Sequence, residues 1–202
     1  WRTYRVMDLE SGEALDDELR WIKFSQPEWS ADSRGFFYQR YDAPEGEAFI
    51  AENKFQKVWY HRVGTDQSED VLVYKRDDEP DWGFGVSATD DGRYLVITVS
   101  QGTDDRYRIL YKDLAEPYGM PIDLIDDFHA AFDFLGNDGP VFYFRTTDDA
   151  PLGRIIAIDI RKPGADDWRE VVPETRDTLR SVSFVGNMFV ASYLEDAKSA
   201  IR

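Results

Sequence analysis

Thr89-Asp90-Asp91-Gly92-Arg93-Tyr94-Leu95-Val96, a turn signal that runs straight into an aromatic and β-branched stretch, has three counterparts in the chain. They are Ala31-Asp32-Ser33-Arg34-Gly35-Phe36-Phe37-Tyr38, Gly136-Asn137-Asp138-Gly139-Pro140-Val141-Phe142-Tyr143 and Val185-Gly186-Asn187-Met188-Phe189-Val190. Aligned on an acidic or amide residue at 32, 90, 137 and 187, the turns recur at spacings of 58, 47 and 50 residues. A unit of that length holding several short strands is the sequence form of a β-propeller blade, because one four-stranded sheet cannot cover its faces until neighbours stack on both sides.

Strand-like runs occupy most of the chain between these turns, nearly all alternate, and helical periodicity is scarcely visible, so the fold class is all-β. Gly, Pro, Asp and Asn fill the connections, as turn dihedrals require. Phasing the runs gives blades at about 21–80, 81–127 and 128–175, flanked by partial blades at 1–20 and 176–202. The first partial blade is expected to hold the last two strands of a sheet, and the last one the first two. Such an array begins and ends in mid-blade, and an opening Trp1 in place of Met suggests a chain cut from something longer. Each end is then expected to expose a contiguous apolar blade face larger than the few hundred Å² usual on monomers. The insert at 42–55 accounts for the 58-residue spacing and reads as a surface hairpin loop. It carries Phe49, Ile50 and Phe55, so packing back and floating are both open.

Composition limits the partners. At 202 residues, 42% apolar and 15% aromatic, the chain has ample material for a core. A net charge of -16, from 40 acidic against 24 basic residues, argues against nucleic acid and anionic membrane, which both select a cationic footprint. No run has the length of a spanning helix, and the first residues lack the pattern of a secretion signal. Cysteine is absent, which removes disulfides, thiolate metal sites and a cysteine nucleophile, and leaves the compartment open between cytoplasm and periplasm.

The residues that carry chemistry elsewhere are sparse. There is no Gly-x-Ser-x-Gly elbow. His61 lies in a strand, His129 follows Asp126-Asp127-Phe128, and neither has a serine at recognisable spacing, so a local hydrogen bond is the plainer role for both. The Asp pairs at 90–91, 104–105, 126–127 and 148–149 sit in turns or at strand ends, where Asp is favoured for its own backbone hydrogen bonds. None follows a calcium-loop spacing. Six Trp among strands suit packing between blades better than ligand stacking. The residues thus point to a propeller segment with no catalytic residue, no metal ligand set and no cofactor.

Certain runs go beyond a generic propeller. Tyr60-His61-Arg62-Val63-Gly64-Thr65-Asp66-Gln67-Ser68-Glu69-Asp70-Val71-Leu72, then Asp78-Glu79-Pro80-Asp81-Trp82, then Asp90-Asp91-Gly92-Arg93-Tyr94, together with Trp21-Ile22-Lys23-Phe24-Ser25 leading to Trp29, resemble the propeller of the prolyl oligopeptidase family. The resemblance covers essentially the whole chain, with 42–55 the most divergent part. It implies a segment of a seven-bladed propeller that caps the α/β-hydrolase catalytic domain of a serine endopeptidase, cleaving short proline-containing peptides after proline. The Ser-Asp-His triad would lie in that domain, outside these residues, and the propeller would gate substrates by size. By motif, Phe24, Gly83 and Thr103 fall on family positions that line the pocket for the substrate residue preceding the proline-binding pockets. Better-known members carry Met and Cys where this chain has Gly83 and Thr103, which implies a wider, less apolar pocket. The plainer reading of Phe24 is blade core. A propeller that binds a protein partner through its acidic surface, without catalysis, is the alternative, and a downstream hydrolase domain distinguishes the two.

Overall fold

Residues 1–44, 46, 52–196 and 198–202 are described by the computed structural model of the chain. Among them seventeen β-strands and two single-turn 3-10 segments form, and no α-helix. β1 (Arg2–Met7) pairs with β2 (Ala14–Ile22) as a first, two-stranded sheet. β3 (Glu28–Trp29), β4 (Gly35–Arg40), β5 (Lys57–Arg62) and β6 (Val71–Tyr74) make the second. β7 (Trp82–Ala88), β8 (Tyr94–Gln101), β9 (Arg108–Asp113) and β10 (Ile122–Ile125) make the third, and β11 (Phe132–Asp138), β12 (Val141–Thr146), β13 (Arg154–Asp159) and β14 (Arg169–Val172) the fourth. β15 (Thr178–Val185), β16 (Met188–Glu195) and β17 (Lys198–Ile201) close the series. Every sheet is an antiparallel meander in chain order, the arrangement of a propeller blade.

All four recurring turns join the first two strands of a sheet. In the first two, one chemistry repeats. Ser30 Oγ donates to Asp32 Oδ1, which also accepts the Arg34 N–H, and Thr89 Oγ1 donates to Asp91 Oδ1, which accepts the Arg93 N–H. The structural equivalent of Asp32 is therefore Asp91, one residue beyond the position the sequence alignment selects. The other two turns are tight. Asp138 pairs with Val141, and Val185 with Met188 across Gly186-Asn187, both at positive φ. Consecutive turns also touch. A Cβ on Gly92 would lie 2.5 Å from the Ala31 side chain, and Asn137 Nδ2 donates to Asp91 Oδ2 at 2.9 Å.

Four apolar seams fill the spaces between consecutive sheets. The period of two sends Leu95, Ile97 and Val99 of β8 toward the second sheet, and Tyr94 and Val96 toward the fourth. β4 divides likewise, with Phe37 facing the third sheet and Phe36 and Tyr38 the first. Inner strands consequently run apolar on both faces and do not alternate apolar with polar. Burying each such side chain stabilises by about 1.5–3 kcal/mol.

Several expectations need correction. β2 continues to Ile22, past the boundary at 20, because Leu19 and Ile22 both reach the seam with the second sheet. A first strand over 24–29 shrinks to Glu28–Trp29, since Pro27 supplies no ladder donor. Residues after 176 carry three strands, not two: Glu195 pairs with Lys198, and the short β17 has too few apolar residues to stand out. The outward faces also differ. Val185, Met188, Val190, Leu194 and Ile201 leave the last sheet apolar. The first sheet instead turns Arg5, Glu18 and Arg20 outward in an ion-paired row, because its alternate positions are charged. Within the 42–55 insert, the Phe55 N–H donates to the Pro80 carbonyl at 2.8 Å, so that end packs against the chain. Phe49 and Ile50 lie outside the described residues.

Candidate functional site

Phe24, Gly83 and Thr103 come from three separate segments and line one cavity of about 880 Å³. Phe24 sits in the link between β2 and β3, 75% exposed, which overturns its reading as blade core. Its φ is 50°, in the left-handed region that a residue with a Cβ occupies at a cost of about 1–2 kcal/mol. Gly83 is the second residue of β7 and pairs with Ser100. A Cβ there would come within 3.0 Å of Ser100 Oγ and 3.7 Å of Gln56 Oε1, so a larger residue would fill space that the cavity now keeps. Thr103 is exposed in the turn that follows β8, where Gly102 takes a positive φ.

Around them the walls are aromatic and the rim is acidic. Trp82, Phe84, Phe132 and Phe134 line the cavity, as do Asp81, Asp104, Asp105 and Asp133, and among the described residues no Lys or Arg does. Trp82 is held rigidly: Arg76 lies 4.5 Å and Arg108 5.1 Å from its ring centroid, and Phe128 meets it edge-on at 5.3 Å. The Arg106 guanidinium beside Asp104 holds its carboxyl down at about 2, so that rim charge persists across the working pH range. Asp133 is paired with Arg145 at 2.5 Å. Burial, and then the Asp133 carboxylate, push the Tyr107 phenol above its ordinary value.

Gln56 is a lining residue that the motif comparison missed. At 2% exposure it donates from Nε2 to the Lys23 carbonyl at 3.1 Å and accepts the Phe84 N–H on Oε1 at 2.6 Å. Its partners lie 33 and 28 residues away, so no local pattern marks it.

The two histidines do other work. His61 is fully buried, with Nε2 2.9 Å from Asp17 Oδ1 and Nδ1 2.7 Å from Asp70 Oδ1, so both ring nitrogens face carboxylates. His129 meets Asp127 through Nδ1 and Asp148 through Nε2 at 3.4 Å. Of the Asp pairs, Asp91 and Asp104 accept backbone N–H groups two residues on. Among the described residues, no group of three or more His, Cys, Asp or Glu side chains is placed to hold a metal ion. No described helix is long and apolar enough to cross a membrane.

A family model described as "Prolyl oligopeptidase, N-terminal beta-propeller domain" matches residues 1–202. The chain is 34% identical to a prolyl oligopeptidase A of Galerina marginata over 88% of its own length and 25% of that protein's. It is also 34% identical to a prolyl endopeptidase of Elizabethkingia meningoseptica over 100% of its length and 28% of the relative's. A solved prolyl endopeptidase superposes with a TM-score of 0.89 at 37% identity, covering 100% of this chain and 28% of that one. Prolyl oligopeptidase B from Galerina marginata, bound to a 25mer macrocyclization substrate, superposes with a TM-score of 0.84 at 30% identity over 94% of this chain and 27% of its own. The chain thus spans roughly a quarter of these relatives.

Proposed function

The chain belongs to the prolyl oligopeptidase family, as sequence of its N-terminal β-propeller domain, and on that premise we propose that it is the substrate-gating part of a serine endopeptidase that cleaves short peptides after proline. The catalytic triad is assigned to an α/β-hydrolase domain elsewhere in the same polypeptide, against which the propeller would pack. The role of this segment is selection: it limits which peptides reach that domain, and it supplies one wall of the pocket for the residue preceding the proline-binding pockets.

One observation carries this reading. Phe24, Gly83 and Thr103, picked out by motif from three distant segments, converge on a single cavity with aromatic walls. An apolar concave site with a few polar groups at its edge is the ordinary form of a ligand pocket. Gly83 leaves that pocket wide, and Thr103 offers a hydroxyl at its margin, so it should accept bulky and polar residues with weaker discrimination by hydrophobic contact than a pocket lined by Met and Cys at those two positions.

The test is a series of proline-containing peptides that differ only at the position facing Phe24, assayed with the complete enzyme. Phe24→Ala is expected to lower kcat/KM for the aromatic member about tenfold, chiefly through KM. An unchanged profile across the series overturns the assignment.

A further inference from the structure

Phe24 is presented in a conformation that its own side chain does not maintain. Its φ of 50° is unfavourable for a non-glycine residue, and a ring that is 75% exposed gains little from burial. A strained, exposed aromatic of this kind persists only where its surroundings fix it. Here the fixing is done by hydrogen bonds to the residues on either side.

On one flank, the Lys23 carbonyl accepts from Gln56 Nε2 at 3.1 Å. On the other, the Ser25 carbonyl accepts from the Tyr4 hydroxyl at 2.7 Å, and Ser25 Oγ accepts the Gln39 N–H at 2.9 Å. Gln56 is buried, and its second amide atom, Oε1, accepts the Phe84 N–H at 2.6 Å. A single side-chain amide therefore ties the residue before Phe24 to the residue after Gly83. Only a group with a donor and an acceptor on one planar end can do this, and a neutral amide does so without placing a charge in the wall.

We infer that Gln56 and Tyr4 are positioning residues for the substrate pocket: together they clamp the Lys23–Ser25 backbone, and Gln56 sets the separation between the Phe24 wall and the Gly83 floor. The inference rests on the proposed reading of Phe24 and Gly83 as substrate-facing, and deepens it by naming what holds them. Neither positioning side chain performs chemistry. Both act through Phe24, so their loss should disturb substrates that lean on that ring and spare those that do not.

Two peptides matched except at the position facing Phe24, one aromatic and one glycine, separate the possibilities in the complete enzyme. Gln56→Met removes both hydrogen bonds, Gln56→Glu keeps the acceptor for Phe84 while losing the donor to Lys23, and Tyr4→Phe loosens the other flank alone, taking the partner of the Ser25 carbonyl and leaving the bond from Gln39 to Ser25 Oγ. All three are expected to raise KM about five- to tenfold for the aromatic peptide, with kcat and the glycine peptide changed less than about twofold. Tyr4→Phe, the mildest change, carries the test should either Gln56 variant not fold. An equal loss for both peptides, or an unchanged ratio in the folded variants, overturns the positioning role. If Phe24→Ala itself leaves the aromatic-to-glycine ratio at its wild-type value, the reading of Phe24 as a substrate contact is what fails.

Discussion

The seam between the first and second sheets and the seam between the third and fourth are joined by opposite means. Between the third and fourth, Phe132, Phe142, Phe144, Ile156 and Ile158 are buried to 1% exposure or less, and Phe142 receives Tyr94, Tyr111 and Phe134 edge-on at 5.3 to 5.8 Å. Between the first and second, the buried apolar core among the described residues is Leu19, Ile22, Phe36 and Tyr38, with Tyr4, Val6, Trp59 and Val63 partly buried against it. A buried polar chain runs beside it: Asp17 to His61 to Asp70 to the Tyr38 hydroxyl, which accepts from Gln67 Nε2, and Gln67 exchanges two hydrogen bonds with the Arg20 backbone. The difference follows from supply. A two-stranded sheet with one charged face has little apolar area to offer, so directional bonds supplement burial. Burial is non-directional and tolerates repacking. A network of buried charged groups tolerates little, because removing one member leaves the others desolvated and unpaired.

The largest expected effect tests that asymmetry directly. His61→Leu keeps the volume but takes the shared partner from Asp17 and Asp70, leaving them the Gly64 N–H and the Tyr38 hydroxyl, and it should destabilise the first two sheets by about 3–5 kcal/mol. Hydrogen exchange at the β5 amides, read against those of β12 in the same sample, measures the local opening energy at each seam. Equal protection of β5 in variant and wild type would mean that the polar chain adds nothing to burial. A smaller loss, about 1.5–3 kcal/mol, is expected for Tyr38→Phe, which deletes the hydroxyl that donates to Asp70 at 2.5 Å. The same residue gives the polar seam a pH signature. Burial, and then the bond to Asp70, push the Tyr38 phenol above its ordinary value of 10.0. Above that pH the unfolded chain releases a proton that the folded chain keeps, so stability is intact below about 10 and falls as pH rises beyond it. Tyr38→Phe should remove that part of the alkaline fall, while a Phe142 variant keeps it.

How much of this was legible in the sequence differs between the seams for the same reason. The strands of the apolar seam stand out as runs such as Val141-Phe142-Tyr143-Phe144 and Ile155-Ile156-Ala157-Ile158, and the phase of each sheet follows from the turn that joins its first two strands. Non-local polar bonds leave no such trace. Asp17, His61 and Asp70 have no shared spacing, and only the fold shows that a strand histidine bridges two sheets. Gln56 is hidden likewise, whereas Phe24, Gly83 and Thr103 sit beside recognisable motifs and share its cavity. The charged outer face of the first sheet departs from the apolar face expected of a partial blade, although Arg5, Glu18 and Arg20 already alternate in the sequence with the residues that face inward.

The smallest expected effect comes from the apolar seam. Phe142→Leu exchanges one buried hydrocarbon for a somewhat smaller one, so it should cost about 1–1.5 kcal/mol at the β12 amides once neighbouring rings have shifted. Its contacts are edge-to-face rings at several angles, and losing one ring leaves Phe134 still packed on Phe144 at 5.6 Å and Phe132 on Trp168 at 5.9 Å. Redundancy of this kind is what a seam built from burial supplies and one built from a single polar chain lacks. If Phe142→Leu instead lowers β12 protection as much as His61→Leu lowers that of β5, the ring contacts at Phe142 are as position-specific as the buried hydrogen bonds, and the two seams differ in composition but not in tolerance.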